Sequence, residues 1–179
     1  MKSQHTLYAG LCTLFLLTAA MCCEEGAIEE INEISNIELL QYDNSGEYPV
    51  VIENDQCPKE AYLIRITPIY EVWSDINILK SPIIAFRIIT LTDFNEDYPA
   101  GSDIYNLFKE YPAILLGENF NSPADDSLQE GEPITSLGTG SFYKVLLTHP
   151  QSGTYQFRVE LEMKDGSLVS KETDPVLLY

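Results

Sequence analysis

Towards the end of the chain, apolar and polar residues alternate without a break. Tyr155, Phe157, Val159, Leu161 and Met163 hold one set of positions, and Gln156, Arg158, Glu160, Glu162 and Lys164 hold the other. A period of two is the signature of a strand buried on one face only, so the chain must supply a sheet and something to cover it. Asp165-Gly166 follows at once, the pair preferred in a two-residue hairpin turn, and Ser167 to Ser170 is expected to begin the return strand.

The rest of the chain reads the same way. Asn36 to Tyr42 is a short strand closed by the turn residues Asp43-Asn44-Ser45-Gly46. Ala61 to Trp73 is long and β-rich, and Pro68 within it predicts an edge, a bulge or a break, because proline has no N–H to donate to a ladder. Pro82 to Thr92 carries Ile83, Ile84, Phe86, Ile88, Ile89 and Leu91 with little polar relief, as in the middle of a sheet. Phe142 to Thr148 follows the Gly138-Thr139-Gly140 turn, and Asp174-Pro175 precedes a final apolar Val176 to Tyr179.

One segment has helical signals. Ser102 is placed to cap Asp103 to Glu110, with Ile104, Leu107 and Phe108 on one face and Pro112 just beyond. Gly117 to Leu137, rich in Gly, Pro, Ser, Asp and Glu, reads as a long surface excursion. The expected fold is all-β: an antiparallel β-sandwich with one short helix in a long loop region.

Composition agrees with one well-cored domain. The chain has 11 Tyr, 7 Phe and 1 Trp, too many rings for a disordered acidic polymer. It sets 28 Asp and Glu against 10 Lys and Arg, a formal net charge of -18. Phosphate backbones are held mainly by Lys and Arg, so nucleic acid is excluded as a partner, and self-repulsion favours a monomer.

The first residues carry an address. Lys2 gives a positive start, Leu7 to Met21 is almost unbroken apolar sequence, and Ala19 and Ala20 precede Cys22 and Cys23. The apolar run falls short of the roughly 20 residues that span a bilayer as a helix. It also lacks a polar face, so it is read as an export signal and not as an amphipathic core helix. From Glu24 to Ser35 there are acids and no base, with Ile28, Ile31 and Ile34 spaced three apart, which fits a tether with one helical turn. The expected organisation is a signal over 1–22, an acidic tether over 23–35 and the β-sandwich over 36–179.

Thr18-Ala19-Ala20-Met21-Cys22-Cys23 resembles the end of a bacterial lipoprotein signal, whose first mature residue is a lipidated Cys. A small residue normally precedes that Cys. Met21 is bulky and Cys22 is small, so Cys23 is the expected lipid site and Cys22 the alternative. Glu24 and Glu25 are similar to the acids that follow the anchor in surface-exported lipoproteins of Bacteroidetes. That resemblance implies an outer-membrane, surface-exposed location, with the periplasmic face as the alternative. Tyr42-Asp43-Asn44-Ser45-Gly46, Lys59-Glu60-Ala61-Tyr62 and Thr92-Asp93-Phe94-Asn95 are also similar to small lipoproteins of gut Bacteroidetes, a likeness that implies no activity. Ser152 to Val159 and the hairpin after it resemble the last strand pair of immunoglobulin-like domains, without the paired cysteines of antibody domains.

Chemistry-bearing residues are sparse. With Cys12 in the signal and one Cys as anchor, the folded part keeps Cys57 alone, so neither an intradomain disulfide nor a Cys-rich metal site is expected, and Cys57 reads as a small buried hydrophobe. His149 is the one His outside the leader and has no nucleophile motif beside it. Asp93, Asn95 and Asp97 alternate like calcium-loop ligands, but Tyr98 stands where an EF-hand needs Gly and Ile104 where it needs the bidentate Glu. Asp93, Asp97 and Asp103 remain as candidate ligands of another kind of calcium loop; otherwise Asp93 and Asp97 are turn and solvating residues, and no cofactor is expected. Asp126-Ser127-Leu128 resembles the short O-glycosylation sequence of Bacteroides, which makes Ser127 the candidate site. Tyr98, Tyr105, Tyr111 and Phe120 are candidates for stacking on sugar rings, against the reading that Tyr105 and Phe108 hold the helix to the sandwich.

The expected function is that of a membrane-anchored, non-catalytic binding or interaction module with a glycan or protein ligand. The alternative is a carboxylate-dependent glycoside hydrolase or an accessory glycan-binding lipoprotein.

Overall fold

A computed structural model describes residues 29–72, 76–111, 132–138 and 140–179. They form thirteen strands: β1 Glu29–Asn32, β2 Ile34–Asp43, β3 Val50–Val51, β4 Gln56–Cys57, β5 Tyr62–Tyr70, β6 Ile76–Thr90, β7 Phe108–Glu110, β8 Ile134–Gly138, β9 Phe142–Leu146, β10 Gly153–Tyr155, β11 Phe157–Met163, β12 Leu168–Glu172 and β13 Val176–Leu178. The fold is all-β, with three sheets. One has the order β1-β6-β11-β12 with β8 also on β6, the second runs β3-β2-β5-β9-β7, and the third is the short β10-β13-β4.

The alternating segment behaves as its period requires. Along β11, Phe157, Val159, Leu161 and Met163 are buried, whereas Arg158, Glu160 and Glu162 are half-exposed. That outer row pairs with its surroundings: Arg158 Nε lies 2.7 Å from Glu160, and Arg87 bridges Glu160 and Glu162. The buried row meets the facing sheet. Phe157 lies 5.4 Å from the ring of Tyr62 in β5 and 6.0 Å from Phe108 in β7, and Phe86 of β6 lies 5.4 Å from Phe142 of β9. Each such side chain contributes on the order of 1.5 to 3 kcal/mol by leaving water.

Tyr155 and Phe157 share the core but not a sheet. Tyr155 ends β10, paired with β13, whereas Phe157 begins β11, paired with β6. Gln156 is the joint: its Nε2 donates to Thr173 O at 2.9 Å, and Leu91 N donates to Gln156 O at 2.8 Å. An inward row of apolar residues thus continues across a change of sheet.

β6 is central, as its apolar run predicts. Its early residues pair with β1 and β8, and its later ones with β11. The ladders slip on both sides of Pro82, between Ile78 and Ile83 and between Glu162 and Met163. Pro68 sits beyond Leu63–Ile66, the part of β5 that pairs with β9, so its missing N–H falls where the strand has become a local edge.

Several expectations are corrected. The hairpin loop has three residues, Lys164-Asp165-Gly166, because Glu162 pairs with Leu168 and Met163 N donates to Ser167 O. Gly166 takes φ 88°, the left-handed position that closes such a loop with a bulge. The helix expected from Asp103 to Glu110 is a single 3-10 turn, Tyr105–Leu107, running straight into β7. Eight residues gain few helical bonds, and Phe108 is buried where it pairs opposite Leu146.

The helical turn expected around Ile31 and Ile34 is replaced by β1 and the start of β2. A spacing of three puts such residues on opposite faces of extended chain, and Ile31 is 72% exposed while Ile34 is buried. Strand structure therefore begins inside the expected tether, whose earlier part and the signal lie outside the described residues. The excursion expected up to Leu137 ends instead in β8, whose Ile134 and Leu137 are buried; residues 112–131 are not among those described.

Candidate functional site

The loop from Leu91 to Ile104 is folded back on the end of β6 by main-chain bonds. Thr90 N donates to Ser102 O, Gly101 N to Thr90 O at 2.7 Å, and Ile104 N to Ile88 O. Gly101 makes this return possible, since its φ of 89° is strained for any residue with a Cβ. The Asp and Asn side chains then hold the loop's shape. Asp93 Oδ1 accepts from Ala100 N at 2.8 Å, and Asn95 Oδ1 accepts from Asp97 N at 2.9 Å and Tyr98 N at 3.0 Å. Phe94 points inward, 1% exposed, with its ring 5.7 Å from Tyr155.

Between this loop and the segment before β10 lies an open cleft of about 410 Å3. Asp93, Asn95, Glu96 and Pro99 form one wall, Gln151 and Tyr155 the other, and Phe94 lies between them. Tyr155 is fixed by donating its hydroxyl proton to Gln151 O at 2.7 Å. The cleft is mixed in polarity: Asp93, Asn95, Glu96 and Gln151 supply its polar part, and Pro99 with the margins of the buried Phe94 and Tyr155 its apolar part.

Asp93, Asp97 and Asp103 all belong to this loop but do not gather. Asp103 Oδ1 accepts from Tyr105 N at 2.9 Å and Ile88 N at 3.4 Å, and among the described residues no three His, Cys, Asp or Glu side chains converge to hold a metal. The aromatic candidates are also apart. Tyr98 accepts a hydrogen bond from Asn106 at 3.2 Å, and Tyr111 packs against Leu63 and Tyr143 in a separate cluster. Tyr105 lies 5.3 Å from Phe86, so Tyr105 and Phe108 do hold the 3-10 turn to the core. Phe120, Ser127, Cys22 and Cys23 lie outside the described residues. His149 is exposed, in the irregular segment that leads to Gln151 of the cleft.

Cys57 is fully buried, donating from Sγ to Pro58 O at 3.3 Å. Burial, helped by the charge of Asp43, pushes its thiol up to about 12, which removes the thiolate that reactivity requires.

Lys144 is a residue the sequence reading passed over. It is 1% exposed, with its ammonium 5.4 Å from the ring centre of Phe86 and 5.0 Å from that of Tyr105. Burial brings its amine down to about 8, against the opposing pull of Glu110. The signal was present: Phe142-Tyr143-Lys144-Val145-Leu146 puts Lys144 on the same strand face as two buried apolar residues.

Among the described residues no helix is long and apolar enough to cross a membrane. No curated protein and no solved structure matches the chain. A family profile does match, from Ile76 at the start of β6 to Asp174 after β12, more than half of the sequence and the whole of the cleft. The chain thus belongs to the family described as Domain of unknown function (DUF5034).

Proposed function

We propose that the protein is a lipid-anchored cell-envelope protein that serves as a non-catalytic binding module, presenting the cleft beside Tyr155 to a glycan or protein ligand. The observation that carries this reading is the placement of the two ends of β6. Glu29 pairs with Ile76 at the start of the strand, whereas the cleft loop leaves from Thr90 at its end. Fifteen residues of strand rise roughly 45 Å at about 3.3 Å each, so the cleft faces away from the end where the tether enters. Oδ1 of Asp93, Asn95 and Asp103 accepts from backbone N–H groups, which supports a rigid rim.

The architecture behind this reading is an immunoglobulin-like sandwich. Its support is the strand order: β2-β5-β9-β7 corresponds to A-B-E-D, and β6-β11-β12 to C-F-G, with β8 as an added strand beside C. The anchor rests on the lipobox-like Met21-Cys22-Cys23 and the acids after it.

Two measurements test the proposal. A palmitate analogue should label the Cys22→Ser protein and not Cys23→Ser, and protease added to whole cells should cleave the protein if it faces outward; intact protein would place it on the periplasmic face. On a glycan array and in pull-downs, Glu96→Arg and Gln151→Ala should lose the ligand that wild type retains. Turnover of glycosidase substrates, lost on substitution of one Asp or Glu, would replace the binding module with a hydrolase.

A further inference from the structure

The outer face of the β1-β6-β11-β12 sheet changes character along β6. Near the entry of the chain Ile31 of β1 stands opposite Ile78 of β6, and the two are 72% and 38% exposed. Asn32 and Leu79, the next pair in the register, are buried, so Ile31 and Ile78 share the outer face. Buried Asn77, Leu79 and Ile83 keep alternate positions, which sets Ile78, Lys80, Pro82 and Ile84 in succession on the outside, with Ile84 42% exposed. Lys80, Pro82, Lys164 and Asp165 line an open depression of about 340 Å3 on this stretch. Two acids beside it are engaged: Glu33 pairs with Lys80, and Asp165 Oδ1 accepts from Ser167 N and Oγ. Past Ile84 the face becomes charged, with Arg87 bridging Glu160 and Glu162 and Arg158 joined to Glu160. In a chain with 28 acids and 10 bases, exposed isoleucines thus gather on the half of this face where the chain enters.

We infer that this half of the face rests on a lipid surface, with Ile31, Ile78 and Ile84 at the boundary between headgroups and acyl chains. The inference rests on the lipid anchor proposed above and adds to it which side of the domain meets the bilayer. Glu29 lies six residues after Cys23, a span of roughly 20 Å at full extension, so an anchored domain keeps Ile31 close to the membrane. A lipid surface receives separate aliphatic side chains without a matching shape. Lys80 lies roughly 7 Å along the strand from Ile78, a step that brings an ammonium to the phosphates while the isoleucine reaches the acyl boundary. Glu29 opposite Ile76 and Glu71 near Lys80 remain as acids of the rim, so apolar burial and not charge holds the contact. The net charge disfavours a second copy of this chain as the cover. The charged stretch past Ile84 stays in water, which leans the domain on its entry half and leaves the cleft loop beyond Thr90 free.

The test uses the lipid-carrying full chain in vesicles of phosphatidylethanolamine and phosphatidylglycerol, part of the lipid bearing a nitroxide on its acyl chain. A fluorophore is attached to Ile84→Cys, to Ile31→Cys and, in the cleft loop, to Glu96→Cys, and the unsubstituted chain treated alike gives the background. Nitroxide quenches on close approach, so emission from Ile84→Cys and Ile31→Cys should fall to roughly half or less of its value in nitroxide-free vesicles, while that from Glu96→Cys holds. Adding Ile78→Glu to Ile84→Cys should restore the emission, because a carboxylate at this exposed position opposes entry into the acyl boundary and leaves the core untouched. Should Ile84→Cys fail to fold, Lys164→Cys, exposed beside the same depression, takes its place. Quenching at Ile31→Cys alone reports only the nearness of the anchor and would overturn the inference, as would quenching that Ile78→Glu does not relieve or equal quenching at Glu96→Cys. A chain that takes no palmitate label would overturn the anchor and this inference together, whereas a labelled chain with an unquenched Ile84→Cys overturns this inference alone and leaves the face to water or to a protein.

Discussion

Lys144 donates a hydrogen bond of 3.2 Å to the hydroxyl of Tyr105 while its ammonium rests 5.0 Å over that same ring. One aromatic residue thus offers the amine both an acceptor and a π-face, at a position 1% exposed. Each contact offsets a part of the desolvation, on the order of 1 to 2 kcal/mol. Burial nevertheless prevails, since the amine falls from its ordinary 10.5 to about 8.

Stability should therefore depend on pH through this residue. Between pH 8 and 10.5 the unfolded chain holds the lysine proton that the folded chain has given up, so unfolding free energy rises across that window, by about 3 kcal/mol in the limit. Cys57 and Tyr105 act oppositely: both are raised to about 12 by burial, so their contribution falls above pH 9 to 10. Lys144→Met should be more stable than wild type at pH 7, with the gap closing above pH 8. Urea unfolding of both proteins from pH 7 to 10 checks it; a gap that does not change with pH would show that the amine is not desolvated.

Phe157 should be the costliest single truncation. It is fully buried among the rings of Tyr62, Phe108 and Tyr155, and Phe157→Ala should cost about 3 to 5 kcal/mol. Gln156→Ala should cost about 1 kcal/mol, since the amide bond to Thr173 O is lost at the joint between two sheets. Midpoints of urea unfolding separate the two variants, and equal midpoints would mean that the row through Phe157 is not buried.

Asn95 should govern the rigidity of the cleft. Asn95→Asp keeps an acceptor for the N–H groups of Asp97 and Tyr98, whereas Asn95→Ala leaves both without one. Amide exchange at Asp97 and Tyr98 should accelerate in Asn95→Ala and stay near wild type in Asn95→Asp. Unchanged exchange in both would assign the loop's shape to its main-chain bonds alone.

Cys57 should resist alkylation at pH 8 in the folded protein and react once urea unfolds it, because burial and a raised pKa both withhold the thiolate. Peptide mapping after iodoacetamide reads the site directly. Rapid labelling of the folded chain would show that the β4 region opens on its own.

How much of this was legible depended on how far a residue's setting is local. The alternation at Tyr155–Lys164 and the apolar run of β6 report burial through nearest neighbours along the chain, and both are extended and buried as expected, although Gln156 divides the first between two sheets and β6 begins at Ile76, before the expected Pro82. The hairpin after Met163 was legible as a turn but not in its length, because Asp-Gly suits a three-residue loop as well. The helix at Asp103 was misread because its cap and face are local signals, whereas Phe108 answers to Leu146, far away in sequence. Lys144 was overlooked since a charge in a strand is ordinarily on the wet face, and only Phe86 and Tyr105 make the dry one habitable. Of the cleft only the loop was legible: Asp93 reads as a turn residue from its neighbours, but Tyr155 comes to it through the fold.

The parallel pairing of β1 with β6 has a mechanical consequence. The chain enters at Glu29 and runs alongside Ile76–Leu79 in the same direction, so a pull on the entering segment acts along the strand axis. Such a load shears the four paired positions together, where a hairpin pulled at its open end would unzip one pair at a time. The buried bond from Asn32 Nδ2 to Asn77 Oδ1, 2.8 Å long, sits at the inner end of that junction and must break with the rest. A load on the segment before Glu29 is thus shared by all four pairs at once, which resists it better than so short a strand suggests.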